Sequence, residues 1–369
     1  MKLKLFYNVL VAMLIGVACQ TSLGMPAYAV TGGILAIGAV KPFIGEGLKQ
    51  YAFMAIQVEI WQNHIEEEIF KDNTFLRKSV SADDNVINSK VVHIPQSGGS
   101  SNVVKNRTVL PATVQKRSDT DVVYLLDEYT TDPILIPHAD TKELSYDKRA
   151  SVLGEDRDTL VQSVAEWTLY NWLNSPVHAN YVASTLPVAN VLLTTGAAVA
   201  ASAPAATGNR KAAVLGDLQR MQTKFRQENR WFEGKMNALL TPAMLVDLFP
   251  ADSVITATYM QNVTEAERRA GIMFKVQGWN IMSRSTVVRT ETDGTIIVPG
   301  AVGQTTDDEA SLFWYEGAVE YAFGGVEAFA RERDPQFYGD VYSFLVRSGG
   351  RARRNAYEGV ALLRQAKSA

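Results

Sequence analysis

The chain has 369 residues, 47% of them hydrophobic and 20% charged, with a formal net charge of −3. That length suits one large domain or two to three smaller ones, and the charge excludes a molecule that binds nucleic acid by being basic overall, although a local basic face stays open. The single cysteine is Cys19, so the chain from Gln20 onward has no disulfide, no cysteine zinc site and no cysteine nucleophile.

Residues 1–29 carry the parts of a secretory signal. Lys2 and Lys4 lead, Val9–Ala18 is an apolar run, and Ala27–Ala29 forms a small-x-small cleavage site. The run is too short to span a membrane, which takes about 20 apolar residues. Gly16 stands where a lipoprotein box before Cys19 calls for a Leu-like residue. "TGGILAIGAVKPFIGEGLKQ" follows without clear periodicity, and "MAIQVEIWQ" at Met54 reads like a second beginning. Two readings stand here. One is an exported protein cut after Ala29; the other is an upstream extension, 1–53, ahead of a functional start at Met54.

Ile56, Ile60, His64, Ile65 and Ile69 suggest a short amphipathic helix with Glu66–Glu68 on its wet side. "HIEEE" lacks the second His of a His-Glu-x-x-His zinc site. The four histidines, His64, His93, His138 and His178, do not pair at metal-ligand spacing. From Lys90 to about Ile136 the period becomes two. "KVVHIP" and "DVVYLLDEY" read as strands joined by a long Gly/Ser/Thr-rich segment. Such a hairpin projects and cannot bury itself. Ser97–Ser101 supply hydroxyls with no sign of a triad. Asp127, Glu128 and Asp132 lie close together; paired carboxylates can do acid–base work or bind a cation, and they are equally common at strand ends.

"EDRDTLVQSVAEWTLYNWLN" is the strongest helix. Leu160, Val161, Val164, Trp167, Thr168 and Trp172 share a face, and Pro176 follows its end. Leu169 and Tyr170 fall on the otherwise polar side, which suggests partners on both faces. A strand and loop come next, then a helix striped by Val214, Leu215, Leu218, Met221 and Phe225. "TEAE" at Thr264–Glu267 is a capping box. "IMFKVQGWNIMSRSTVVRT" and "TIIVP" read as strands with a turn at Asp293-Gly294. "DDEASLFWYEGAVEYAFGGVEAFARER" is expected to be a helix striped by Leu312, Val319, Phe323 and Val326. The end reads as a strand, a glycine turn at "SGG" and a basic stretch. Helices and strands interleave irregularly, so the class is α+β.

No phosphate-binding loop, dinucleotide fingerprint or nucleophile elbow is present in the sequence. Arg347, Arg351, Arg353 and Arg354 form a basic cluster suited to phosphate, or to acids across an ion-pair face. Six tryptophans and fourteen tyrosines fit large buried contacts, in the core or at interfaces.

Five stretches occur together: "MAIQVEIWQNHIEEEIFKDNTFL", "LLDEYTTDPILIPHADTKELSYDKRASVLGEDRDTL", "TTGAAVAASAPAATGNRKA", "EAERRAGIMFKVQGWNIMSRS" and "DPQFYGDVYSFLVRSGGRARRN". In order and wording they resemble the major capsid proteins of tailed bacteriophages, most closely those of crAss-like phages, over roughly Met54 to Arg364. The resemblance implies the Hong Kong 97-type capsid fold. It makes 54–86 an N-terminal arm, 87–140 an extended hairpin loop and 141–180 the peripheral domain with its spine helix. Residues 181–306 become mainly the axial domain, and 307–369 a return to the peripheral domain.

It also implies a structural, non-enzymatic protein without cofactor or metal. Such a protein assembles with itself into hexamers and pentamers of an icosahedral head, in the host cytoplasm, with no membrane in the mature role. Portal, scaffold and decoration proteins and nonspecifically packaged double-stranded DNA are the implied partners, and the virion is the implied location. On this reading Met54 is the functional start, and export after Ala29 as a surface or periplasmic binding protein is the alternative. The expected inter-subunit residues are Trp61 and Phe70 on the arm and Val91, Val103, Val104, Val123 and Tyr124 on the hairpin. Arg347, Arg351, Arg353 and Arg354 are expected to meet the genome or a neighbour's acids.

Overall fold

Two sheets dominate the fold, and one C-terminal stretch of chain supplies strands to both. The computed structural model describes residues 73–87, 91–96, 103–108, 110–111, 114, 120–137, 148–175, 184–251, 253–354 and 356–368. All of them belong to one unit, Gln62–Ala369. The expected helix at 54–69, Trp61, Phe70, Ser97–Ser101, His64, His138, His178 and the 1–53 leader lie outside the described residues.

The first group of elements is β1 (Val80–Ser81), β2 (Val86–Ile87), β3 (Val91–Gln96), β4 (Thr120–Leu125), β5 (Asp127–Thr130) and β6 (Ile134–Pro137). The long helix α1 (Lys148–Leu173) follows, then β7 (Asn174–Ser175), β8 (Ser184–Thr185), β9 (Val191–Leu193), β10 (Ala198–Ala200) and β11 (Asn209–Lys211). Next come α2 (Leu215–Gln227), β12 (Met236–Leu240), α3 (Pro242–Leu248), α4 (Val254–Gln261), α5 (Glu265–Arg269), β13 (Phe274–Val276), β14 (Trp279–Ser283) and β15 (Val288–Thr290). The chain ends with β16 (Asp308–Tyr315), β17 (Val319–Asp334), β18 (Gly339–Ala352) and β19 (Val360–Arg364).

The larger sheet has the order β13-β14-β12-β16-β19-β9, with β15 also on β16. Alternate residues put Met236, Ala238, Leu240, Trp279, Ile281, Phe313, Ala361 and Leu363 into one core with Leu218, Met221 and Phe225 of α2 and Met244 and Leu248 of α3. The stripe foreseen on α2 is therefore its buried face. Asp217 reaches back at the start of this helix, accepting from Val214 N at 3.1 Å and Thr195 Oγ1 at 2.7 Å. The "TEAE" box also forms: Glu267 accepts from Thr264 N at 3.0 Å, and α5 begins there. Asp293-Gly294 makes its turn, with Gly294 at φ 97°.

The second sheet has the order β1-β17-β18-β5, with β6 beside β5 on β18. Here the sequence reading of 307–333 fails. That segment is β16 and most of β17, not a helix. Ala310 to Trp314 are all buried, on both faces, as in a central strand. The 3-and-4 spacing of Leu312, Val319, Phe323 and Val326 is coincidental. Segment 307–369 supplies strands to both sheets: 319–352 forms the ribbon of the second sheet, while β16 and β19 pair with each other inside the first. The "SGG" glycines make no turn. Gly349 and Gly350 pair in register with Ala322 and Tyr321 within β18.

Helix α1 packs along β18 and buries Leu160, Val161, Val164, Thr168 and Trp172, as its stripe predicts. Leu169, read as lying on the polar side, is fully buried within this chain. The buried face is simply wider than the stripe. Trp172 stacks edge-on against Phe75 at 5.8 Å and meets Trp314 of the first sheet at 5.7 Å. Trp314 in turn donates to the Lys78 carbonyl at 2.8 Å. These three rings tie the N-terminal turn, the helix and both sheets together.

Candidate functional site

The hairpin is the first candidate. Strands β3 and β4 pair from Val91↔Leu125 to Gln96↔Thr120, in the positions that the period-two patterning marks. Its two ends differ in environment. At the root, Val92, Tyr124 and Leu126 pack with Ala82 and Ala322. Beyond the paired strands, Val103 is 91% exposed and Val114 94%, with Val104 and Leu110 also exposed. Segment 93–118 contains Lys105, Arg107, Lys116 and Arg117 and no acid. Lys105 and Arg107 are exposed beside the valines.

Of the residues expected to meet a neighbour, Val103 and Val104 are thus open, and Val91 and Val123 are half-buried. Tyr124 is different. It is 5% exposed, held in the chain's own cluster, and cannot contact a neighbour while the root is closed. Strand alternation explains this: Tyr124 shares a face with Leu126, and that face turns to the ribbon.

The arginine cluster does not form one patch. Arg347 pairs with Glu128 at 3.2 Å and Glu327 at 3.7 Å. Arg351 is buried. Arg353 lies 3.3 Å from Glu320, and Arg354 is 3.4 Å from Glu358. Arg347, Arg353 and Arg354 meet acids of the same chain, so most of the cluster's charge is balanced internally.

At its centre is a group that the sequence did not mark. Glu320 is 2% exposed and lies directly across the ribbon from Arg351. Burial pushes its carboxyl up to about 7, outweighing Tyr124, Arg353 and Arg351, which all favour the charged form. Burial, and then the Glu320 carboxylate, push the Tyr124 hydroxyl up; burial draws the Arg351 guanidinium down. The only sequence signal was Glu320 in an apolar run, and the helix reading hid it.

The acidic trio does not converge. Asp127 accepts from Asn171 at 2.8 Å, Glu128 holds Arg347 on the opposite face, and Asp132 is exposed in the following loop. A cleft of about 260 Å³ beside α1 is lined by Glu166, Thr286, Arg289 and Glu309. Its acids are engaged: Thr286 donates to Glu166 at 2.9 Å and Ser202 to Glu309 at 2.8 Å. Among the described residues no group of three His, Cys, Asp or Glu could hold a metal ion, and no helix is long and apolar enough to cross a membrane.

A second exposed apolar surface lies at the far end of the ribbon, where Phe329, Phe337, Tyr338 and Leu135 are open to solvent. The sequence reading missed it, having placed Phe329 on a helix.

No protein-family model and no curated protein matches the chain. Solved structures do. The capsid chain of cyanophage P-SCSP1u superposes with a TM-score of 0.50 at 15% identity, over 79% of this chain and 86% of that one. A chain of Mycobacterium phage Adephagia gives a TM-score of 0.50 at 8% identity, over 80% and 90%. With its two main sheets and long helix, this chain has the α+β fold of a phage capsid subunit, as the resemblance implied.

Proposed function

We propose that the chain is the major capsid protein of a tailed phage, a non-catalytic subunit that assembles with itself into hexamers and pentamers of an icosahedral head. The observation that carries this is the hairpin. A subunit that seats the root in its own core and exposes Val103, Val104, Leu110 and Val114 beyond it leaves an apolar surface that a neighbour must cover. The shared fold supports the reading, and the sequence wording leans to the crAss-like kind.

In this proposal 54–86 is the arm and 87–140 the loop that lies over the next subunit. Helix α1 is the spine of the peripheral domain, which also holds the ribbon. The seven-stranded sheet is the axial domain, now including β16 and β19. A single specific interface buries about 1,200–2,000 Å², and many of them sum to a stable shell. Assembly in the host cytoplasm, packaged double-stranded DNA, and portal, scaffold and decoration proteins belong to the same reading.

Electron microscopy of chain 54–369 and of the full chain, each expressed in bacterial cytoplasm, tests it. Closed shells or hexamer–pentamer sheets from the shorter chain are expected. A well-folded monomer in both preparations, with the full chain exported and trimmed at Ala29, would overturn it.

A further inference from the structure

We infer that Glu320 is a proton-operated latch for the hairpin root: neutral, it lets the root stay seated on the ribbon, and its ionisation releases it. This inference concerns the isolated chain and holds whether or not that chain forms shells.

Three elements close on the Glu320 side chain. Strand β17 presents it beside Ala322, on the face that receives Tyr124 and Leu126 from the hairpin root. Strand β4 brings Tyr124, whose hydroxyl also feels Asp83 from the turn after β1. Strand β18 brings Arg351, directly opposite, which also feels Tyr357; Arg353 follows just after the strand. From the opposite face α1 brings the Trp172 indole, which donates to the Glu320 carbonyl at 2.8 Å and so fixes this residue's backbone. The carboxyl is walled in. Arg353 lies 3.3 Å from Oε2 and the Tyr124 hydroxyl sits beside the group, but the buried Oε1 has no hydrogen bond of ordinary length among the described residues.

A carboxylate with one buried oxygen left so lacks part of the hydrogen bonding that its charge requires, whereas a neutral carboxyl tolerates it. Burial accordingly raises the proton affinity of the group despite two nearby guanidiniums. The root is the cover that can move. Glycine at 349 leaves no side chain beneath Leu126 and Tyr124, which rest there by packing, while from Asp127 onward the chain is tied to the same strand by the β5 ladder. Short connections hold its edge: Ala82 N to Tyr321 O at 2.8 Å and Phe323 N to the Asp83 carboxylate at 2.8 Å. Lifting the root admits water to Glu320, and the charge then costs little. By linkage, opening becomes easier as pH rises from the ordinary carboxylate range through the folded-state value, then levels off.

The test is hydrogen exchange of the dispersed full chain between pH 5 and 9, corrected for intrinsic rates and read in segments 80–87 and 120–130. Protection is expected to fall by roughly tenfold per pH unit up to about 7 and to flatten above 8. Strand 236–240, in the other sheet, serves as the control and is expected to hold its protection. Glu320→Gln should remove the pH response. Tyr124→Phe, which keeps the ring in the cluster, should move the midpoint upward, because the hydroxyl favours the charged form; it serves as the second probe should Glu320→Gln misfold. An unchanged profile in either variant, or an equal loss of protection in 236–240, would overturn the latch.

Discussion

Gly349 and Gly350 are consecutive residues that serve opposite faces of one sheet. A β-carbon on Gly350 would lie 2.7 Å from the Glu320 carbonyl oxygen and 2.8 Å from Trp172 Nε1 of the long helix. One on Gly349 would lie 2.9 Å from Leu126 at the hairpin root. A strand residue with no side chain lets a layer settle closer, and here two in succession admit a helix on one side and a hairpin on the other.

Gly350→Ala should therefore destabilise the chain by about 1–3 kcal/mol through overpacking, since the atoms it meets include fixed backbone. Gly349→Ala should cost less, because the nearest atom is the end of a leucine side chain. Urea unfolding of both variants, followed by tryptophan fluorescence, gives the comparison. Equal stabilities would show that the two faces are not close-packed.

Arg210 and Asp308, both buried, are paired at 2.5 Å, and Arg364 stands 3.7 Å from the same aspartate. Arg210→Met leaves the buried Asp308 with only the more distant Arg364 and takes a donor from the Thr207 and Asp307 carbonyls, and should cost up to about 3–5 kcal/mol. Removing both charges, as Arg210→Met with Asp308→Leu, should restore much of the loss. Thermal melts of the two variants decide whether the pair is coupled in this way.

Val103→Asp and Val114→Asp replace exposed side chains that touch little in their own subunit. Monomer stability should stay within about 0.5 kcal/mol of the original. Assembly, scored by sedimentation and electron microscopy, should fail. Shell formation at the original yield by the Val103→Asp/Val114→Asp double variant would remove the hairpin from the interface.

Glu267 caps α5 and is held down to about 2, first by Lys275 and then by the Thr264 backbone and hydroxyl. A lowered folded-state value means that its contribution is complete above the ordinary carboxylate range and fades only as pH falls through about 2. A carboxyl-carbon NMR titration should place its midpoint there, and Lys275→Met should raise it. A midpoint in the ordinary glutamate range would refute the cap.

Much of this was legible from spacing. Alternation marked β3 and β4, the 160–172 stripe marked the helix, and Thr264–Glu267 and Asp293-Gly294 marked a cap and a turn. What failed has a common cause. In 310–314 both faces of a strand are buried, so the run carries no period, and the next apolar residues fell by chance at helical spacing. "SGG" is a turn in local terms and a close-packing device in tertiary ones. The arginines read as a patch because sequence shows charges and not their partners: Glu128 comes from β5, Glu320 and Glu327 from β17, and Glu358 from the loop before β19. Val103 and Val104 are exposed, beyond the strands that alternation marks; the burial of Tyr124 and Glu320 depends on what is folded over them.

The ribbon leaves the larger sheet after Tyr315 and rejoins it before Val360. Its two ends touch, with Val319 opposite Ala352 and Arg353 N donating to the Ala318 carbonyl at 2.8 Å. Topologically, 319–352 is a cassette spliced into a sheet that closes without it. Beyond that splice the ribbon is held to the rest of the chain by β1, β5 and β6, the last of them at the far end where Phe337 and Tyr338 stand, so a change there leaves the order of the flanking strands β16 and β19 untouched.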